Sequence, residues 1–171
     1  VLRCVDAVAK HPVASKLLYA QGPSEHAFSY DDENLGLTLR CKVDKLCLLP
    51  AGNVIMDLKT TGTGTKPAKF AKQIANLNYH TQEYFYKKVL AANGIDIDRF
   101  VFVAVSVDQP HTVDCYTIDD EFRKLAEVEV ENALADLAER TRANDWLSRS
   151  HNSVVELSPP NYLKYQGDYA L

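Results

Sequence analysis

A chain of 171 residues, 46% hydrophobic and 25% charged, is long enough to bury a real core and has the balance of an ordinary globular protein. No run approaches the ~20 apolar residues that a membrane-spanning helix needs, and nothing resembles a signal peptide. The formal net charge of −4 excludes a protein coated in positive charge.

Val1 to Ala20 spaces its apolar residues as a helix and is interrupted at His11-Pro12, which predicts two short helices or one kinked one. Glu25 to Tyr30 reads as a strand, with Asp31-Asp32-Glu33-Asn34 as a turn. Leu35 to Thr61 then reads as two strands joined at Pro50-Ala51-Gly52-Asn53. Side chains alternate across a strand. In the first strand Leu35, Leu37, Leu39, Cys41 and Val43 share one face, and Thr38, Arg40, Lys42 and Asp44 share the other. In the second, Val54, Met56 and Leu58 oppose Ile55, Asp57, Lys59 and Thr61. Each strand is thus expected to have a core face and a charged face, with Asp44, Asp57 and Lys59 converging on one side.

That convergence has a chemical use. Two carboxylates held together repel unless a cation lies between them. Oxygen ligands suit Mg2+ or a similar hard ion, which keeps several waters and is held by one or two carboxylates plus substrate phosphate. Lys59 shares a face with Asp57 and could orient the attacking water or stabilise charge building on the phosphate. The same residues also read as a solvated strand face with scattered charges.

Gly62 to Pro67 invites a phosphate-loop reading, but GxxxxGK[ST] is not satisfied, so a flexible loop entering a helix at Pro67 is expected. Pro67–Leu77 and Tyr79–Ala92 read as helices, the second ended by Asn93-Gly94 and carrying Tyr79, Gln82 and Tyr86 on one stripe. Val89, Leu90 and Phe85 supply its packing. Arg99–Val107 is apolar at both parities and should be a central strand, with Thr112–Ile118 beside it. Asp119–Ala143 reads as a long helix with Phe122, Leu125, Ala126, Val130, Ala133, Leu134 and Leu137 inward. Trp146 and Leu147 are expected to cover the core. Residues 148–171 read as an extended tail carrying Tyr162, Tyr165 and Tyr169, either docked or disordered.

Charge is uneven. Arg40 to Lys88 holds nine basic and three acidic residues; Asp119 to Asp145 holds nine acidic and four basic. Basic charge therefore gathers around the Asp-x-Lys segment, where a phosphate backbone would need it. The four cysteines show no CxxC spacing, so a zinc ribbon is not expected and free reduced thiols are.

In chain order, Asp44, then Asp57-Leu58-Lys59, then Tyr79-His80-Thr81-Gln82 with Tyr86 resembles the PD-(D/E)XK nuclease superfamily. More narrowly it resembles the RecE-type (exonuclease VIII) and phage exonuclease branch, with RecB nuclease domains as more distant relatives. The likeness runs from about Val5 to Leu157-Ser158-Pro159. It implies an α/β fold, a central mixed β-sheet flanked by helices with a restriction-endonuclease-like core. It implies Asp44, Asp57 and the Leu58 backbone carbonyl as ligands of Mg2+ or Mn2+, and Lys59 serving the water. Gln82 and Tyr86 would hold Lys59 or the DNA end. Glu25, Arg40, Lys42, Lys66, Lys69 and Tyr79 complete the expected DNA-facing set.

The activity implied is a 5′→3′ double-strand DNA exonuclease of phage-type recombination in a bacterial or phage-infected cytoplasm. A ring-shaped homo-oligomer and a single-strand annealing protein would accompany it. An endonuclease or repair nuclease of the same superfamily, or a catalytically silent DNA-binding or assembly domain, are the alternatives. Residues 1–171 are expected to form one nuclease domain lacking an upstream helix. Three departures stand out: Val43 replaces the usual Pro, no residue matches the upstream His or Glu ligand, and the last cysteine is Cys115, so no iron–sulfur cluster is expected.

Overall fold

The computed structural model describes residues 2–148, 150 and 152–160. Its elements run α1 (Leu2–Lys10), α2 (Ala14–Leu18), β1 (Ser24–Asp32), β2 (Leu37–Leu49), β3 (Gly52–Thr61), α3 (Pro67–Asn76), α4 (Tyr79–Ala92), β4 (Arg99–Ser106), β5 (Val113–Tyr116) and α5 (Asp120–Ala143). The five strands form one sheet in the order β1-β2-β3-β4-β5. β3 and β4 run parallel and the other pairs antiparallel. A parallel pair needs a crossover, and α3 with α4 provide it. This is the mixed, helix-flanked α/β sheet expected from the sequence.

β4 is buried from Phe100 to Ser106, as strands covered on both faces are. On one side Ile55, Phe100 and Phe102 pack with Phe70 and Ile74 of α3, Val89 and Leu90 of α4, and Val130 and Leu134 of α5. On the other, Val54, Met56, Val101, Val103 and Val105 pack with Val8 of α1 and Ala14 and Leu17 of α2. By contacts the chain divides into Val1–Ala138 and Glu139–Leu171. The sheet, α1 to α4 and α5 through Ala138 belong to the first unit. No helix among the described residues is long and apolar enough to cross a membrane.

Several expectations are corrected. β1 continues through Asp32, so the turn begins at Glu33. Asp32 closes that turn by accepting from the Asn34 and Leu35 amides, each at 3.1 Å. β3 has no solvated charged face: Asp57 is only 1% exposed, because α4 covers the side that parity marks as polar. The inward stripe of α5 is Ala126, Val130, Leu134 and Ala138, while Leu125, Ala133 and Leu137 are exposed. Steps of four keep that stripe on one line of the helix. Trp146 and Leu147 are 59% and 56% exposed rather than covering a core. The tail tyrosines 162, 165 and 169 lie outside the described residues.

Candidate active site

The site is built where one β-ladder ends. β2 pairs with β3 only from Lys45 opposite Met56 to Leu49 opposite Gly52. Beyond Lys45, on the Asp44 side, β2 pairs only with β1, while β3 follows β4 to Thr61. The two strands fork at Asp44 and Asp57. At the fork the Leu58 amide, which would have joined the ladder, donates to Asp44 Oδ2 at 2.8 Å. Both backbone polar groups of one strand residue point to the same side, so the Leu58 carbonyl faces the fork as well.

Asp44 does not arrive there by simple alternation. Leu39, Cys41 and Val43 pack in the same cluster as Ile55, so straight alternation would turn Asp44 away from Asp57. Instead the pattern slips. Leu46 opposes Ile55 and Cys47 opposes Val54, one residue out of phase with Val43. In β1, Glu25 lies opposite the slip with φ 52, a left-handed conformation uncommon outside glycine. The slip points the Asp44 carboxylate along the sheet toward β3, not off either face.

α4 closes the site from above. Gln82 Nε2 donates to Asp57 Oδ1 at 2.7 Å, and Lys59 Nζ donates to Gln82 Oε1 at 2.9 Å. One amide thereby fixes both the carboxylate and the ammonium. Lys59 Nζ is also 2.5 Å from Asp57 Oδ2 and 4.5 Å from the centre of the Tyr79 ring. The Lys59 ammonium thus bridges the Gln82 amide oxygen and the buried Asp57 Oδ2. Burial pushes the Asp57 carboxyl above the ordinary range; Lys59 opposes the rise, Asp44 adds to it, and Gln82 opposes it. Burial likewise raises the Tyr86 phenol, with Gln82 opposing. The stripe Tyr79, Gln82, Tyr86 therefore does face Asp57 and Lys59.

A divalent cation fits this donor set. Asp57 Oδ2 is a buried carboxylate oxygen whose partner is the movable Lys59 ammonium, Asp44 is a second carboxylate at the same fork, and the Leu58 carbonyl faces it. No three His, Cys, Asp or Glu side chains come together among the described residues, which leaves two carboxylates, the number Mg2+ takes when phosphate and water supply the rest.

The remaining candidates separate. Glu25 forms an ion pair with Lys42 at the surface beside the fork. Arg40, Lys66 and Lys69 are exposed. Lys45, counted among the basic cluster, is buried and donates to the Gly22 carbonyl at 2.7 Å. Lys87 and Lys88 pair with Glu83 and Glu131, away from the site. Sequence reasoning missed Gln73, whose amide lies 3.5 Å from both the Thr60 carbonyl and the Tyr79 hydroxyl. Its signal was helical spacing with Lys69, Lys72 and Asn76. It also missed the buried Glu83, which Arg123 Nε approaches at 3.1 Å.

Comparison with known proteins agrees with this architecture. A crystal structure of a protein from Eubacterium rectale, described as a putative exonuclease, shares the fold with a TM-score of 0.64 at 16% identity. The match covers 96% of this chain and 63% of that one, so the chain spans under two thirds of its structural neighbour. No curated protein sequence matches. A family model described as a PDDEXK-like domain of unknown function (DUF3799) matches residues 1–153. With most of its length so matched, and with two aspartates and a lysine gathered at a forked hairpin, the chain belongs to that PDDEXK-like family.

Proposed function

We propose that this chain is a metal-dependent deoxyribonuclease, acting as a 5′→3′ double-strand exonuclease of the phage-recombination type. The observation that carries the reading is the fork itself, with Asp44, Asp57 and the Leu58 carbonyl at one mouth and Lys59 clamped by Gln82. Asp44, Asp57 and the Leu58 carbonyl would hold Mg2+ or Mn2+. When bound, that ion supplies Lewis-acid polarisation of the phosphoryl oxygen and a more acidic water.

The chain's own groups do the rest. Lys59, held by Gln82 and by the face of Tyr79, presents an ammonium to the attacking water and to charge developing on the phosphate. The water oxygen forms a bond to phosphorus and the bond from phosphorus to the 3′ oxygen breaks. The departing 3′ oxygen takes up a proton, and the phosphate stays on the 5′ side. Arg40, Lys66, Lys69 and Tyr79 would contact the DNA, and Glu25 would support it through Lys42. A ring-shaped oligomer and a single-strand annealing partner belong to the same reading and rest on family likeness.

The test uses purified full-length protein with linear duplex and covalently closed circles in Mg2+. Degradation of linear DNA alone, lost in Asp57→Ala, is the expected result; the exonuclease description of the E. rectale neighbour is the reason to test ends first. Cutting of circles would replace the exonuclease with an endonuclease. Intact linear DNA, with Asp57→Ala indistinguishable from wild type and no metal bound, would leave a silent DNA-binding domain. A lone monomer by light scattering would remove the ring.

A further inference from the structure

We infer that the groove between the end of β3 and α3 is a track for the phosphodiester backbone of a single DNA strand leaving the Asp57–Lys59 centre. This rests on the nuclease reading and names the path its substrate takes. The groove has a volume of 660 Å³, and its polar lining includes Thr61, Thr63, Lys69, Lys72, Gln73 and Asn76. No carboxylate among the described residues lines it.

The lining follows from helix geometry. Phe70 and Ile74 of α3 are buried against the sheet, which turns the stripe Lys69, Lys72, Gln73 and Asn76 toward the groove. Lys42, Lys59, Lys87, Lys88 and Arg123 each have an acidic partner. Lys69 and Lys72 pair with no carboxylate among the described residues, so their charge is left for an outside anion.

The groove also adjoins the centre. Gln73 reaches the Tyr79 hydroxyl at 3.5 Å, and the Tyr79 ring carries Lys59. Its opposite wall is preformed: Thr61, 3% exposed, accepts from the Thr63 amide at 3.2 Å and meets the Thr63 hydroxyl at 3.1 Å. The volume is that of a small-ligand cleft, and its row of amides, hydroxyls and two lysines matches the contour of one sugar-phosphate backbone. Exposed Leu77 adds an apolar contact for a sugar or base.

The test is binding of a fluorescent oligo-dT to the whole chain in EDTA, where no cleavage occurs, across a range of salt. Two strand contacts are worth about 1.4 in the slope of log affinity against log salt. K69E/K72E is expected to lose that slope and at least about tenfold in affinity at 0.1 M salt, while K10E/K124E, with the same charge change outside the groove, keeps the wild-type slope. K69Q/K72Q, the milder pair should the reversal not fold, is expected to lose the same slope. Equal slopes in the groove and control variants would overturn the track. The nuclease reading fails separately, if wild type does not hydrolyse DNA in Mg2+ or Asp57→Asn still does.

Discussion

Lys59 answers to three partners at once: Asp57, Gln82 and the Tyr79 ring. Its ammonium neutralises Asp57 and crowds the oxygen that a cation would use. Lys59→Met therefore removes a donor to the phosphate while freeing a ligand. Hydrolysis should fall by about 10²–10³-fold, the usual loss for one such donor. Thermal stabilisation by Mg2+, followed by scanning calorimetry, should be equal to or larger than in wild type. A ligand at a hundredfold excess over its Kd stabilises by about 2.7 kcal/mol, or roughly 5–10 °C for a chain of this size. Asp57→Asn should abolish that shift, and an undiminished shift would mean that the ion binds elsewhere. The order Asp, Asp-x-Lys, Gln was legible through the family resemblance, since Asp-x-Lys alone also fits a solvated strand face. The approach of Asp44 was not, because it depends on a one-residue slip between Val43 and Leu46 that alternation cannot foresee. Parity alone predicted convergence by assuming that both apolar faces were shared; Asp44 and Asp57 do approach one another, by a different geometry.

At the scale of elements, the site depends on how α4 is held, since Gln82 and Tyr79 ride on it. Among the contacts that hold α4 to α5, two involve acidic residues of different character, Glu131 of α5 and Glu83 of α4. Glu131 accepts from Tyr84 and Lys88, each at 2.8 Å, and is half-exposed. Lys88 chiefly holds its carboxyl below the ordinary glutamate range, with Tyr84 adding to the effect against burial. A depressed folded-state pKa contributes stability that is complete above the unfolded value and is lost as pH falls through the folded one. Glu131→Gln should thus cost about 0.5–1 kcal/mol at pH 7, measured by urea melts, with the difference closing toward pH 3. A difference constant with pH would show that packing, not charge, is at stake. Glu83 is buried, with Arg123 at 3.1 Å and Lys87 at 3.4 Å. Arg123→Met leaves it with Lys87 alone and should destabilise by about 2–4 kcal/mol, a larger loss because a buried charge is stranded. Helix bounds such as Tyr79–Ala92 were legible from caps and periodicity. The α5 stripe was read too broadly, because Leu125 and Leu137 are apolar yet sit off the line that steps by four.

Over the whole molecule, charge is sorted by fold more sharply than by sequence. The basic segment loses Lys45 to burial, Lys87 to Glu83 within α4 and Lys88 to Glu131 across the α4–α5 contact. What remains near the fork and its groove is Arg40, Lys42, Lys66, Lys69 and Lys72, on a chain whose net charge is −4. On a chain of net negative charge, this region is the one among the described residues where the sequence concentrates basic charge for a polyanion. Lys69 and Lys72 line the single-strand groove and Lys42 already faces Glu25, so two to three cations, Arg40 and Lys66 with Lys42, are available to duplex phosphates. Each neutralised phosphate of B-DNA contributes about 0.9 to the salt slope, so duplex binding measured in EDTA should show a slope of about −2. A fivefold rise in salt then weakens binding by roughly 25-fold. A slope near zero would mean that the basic region does not carry the backbone, and that the duplex is held by contacts outside these three side chains.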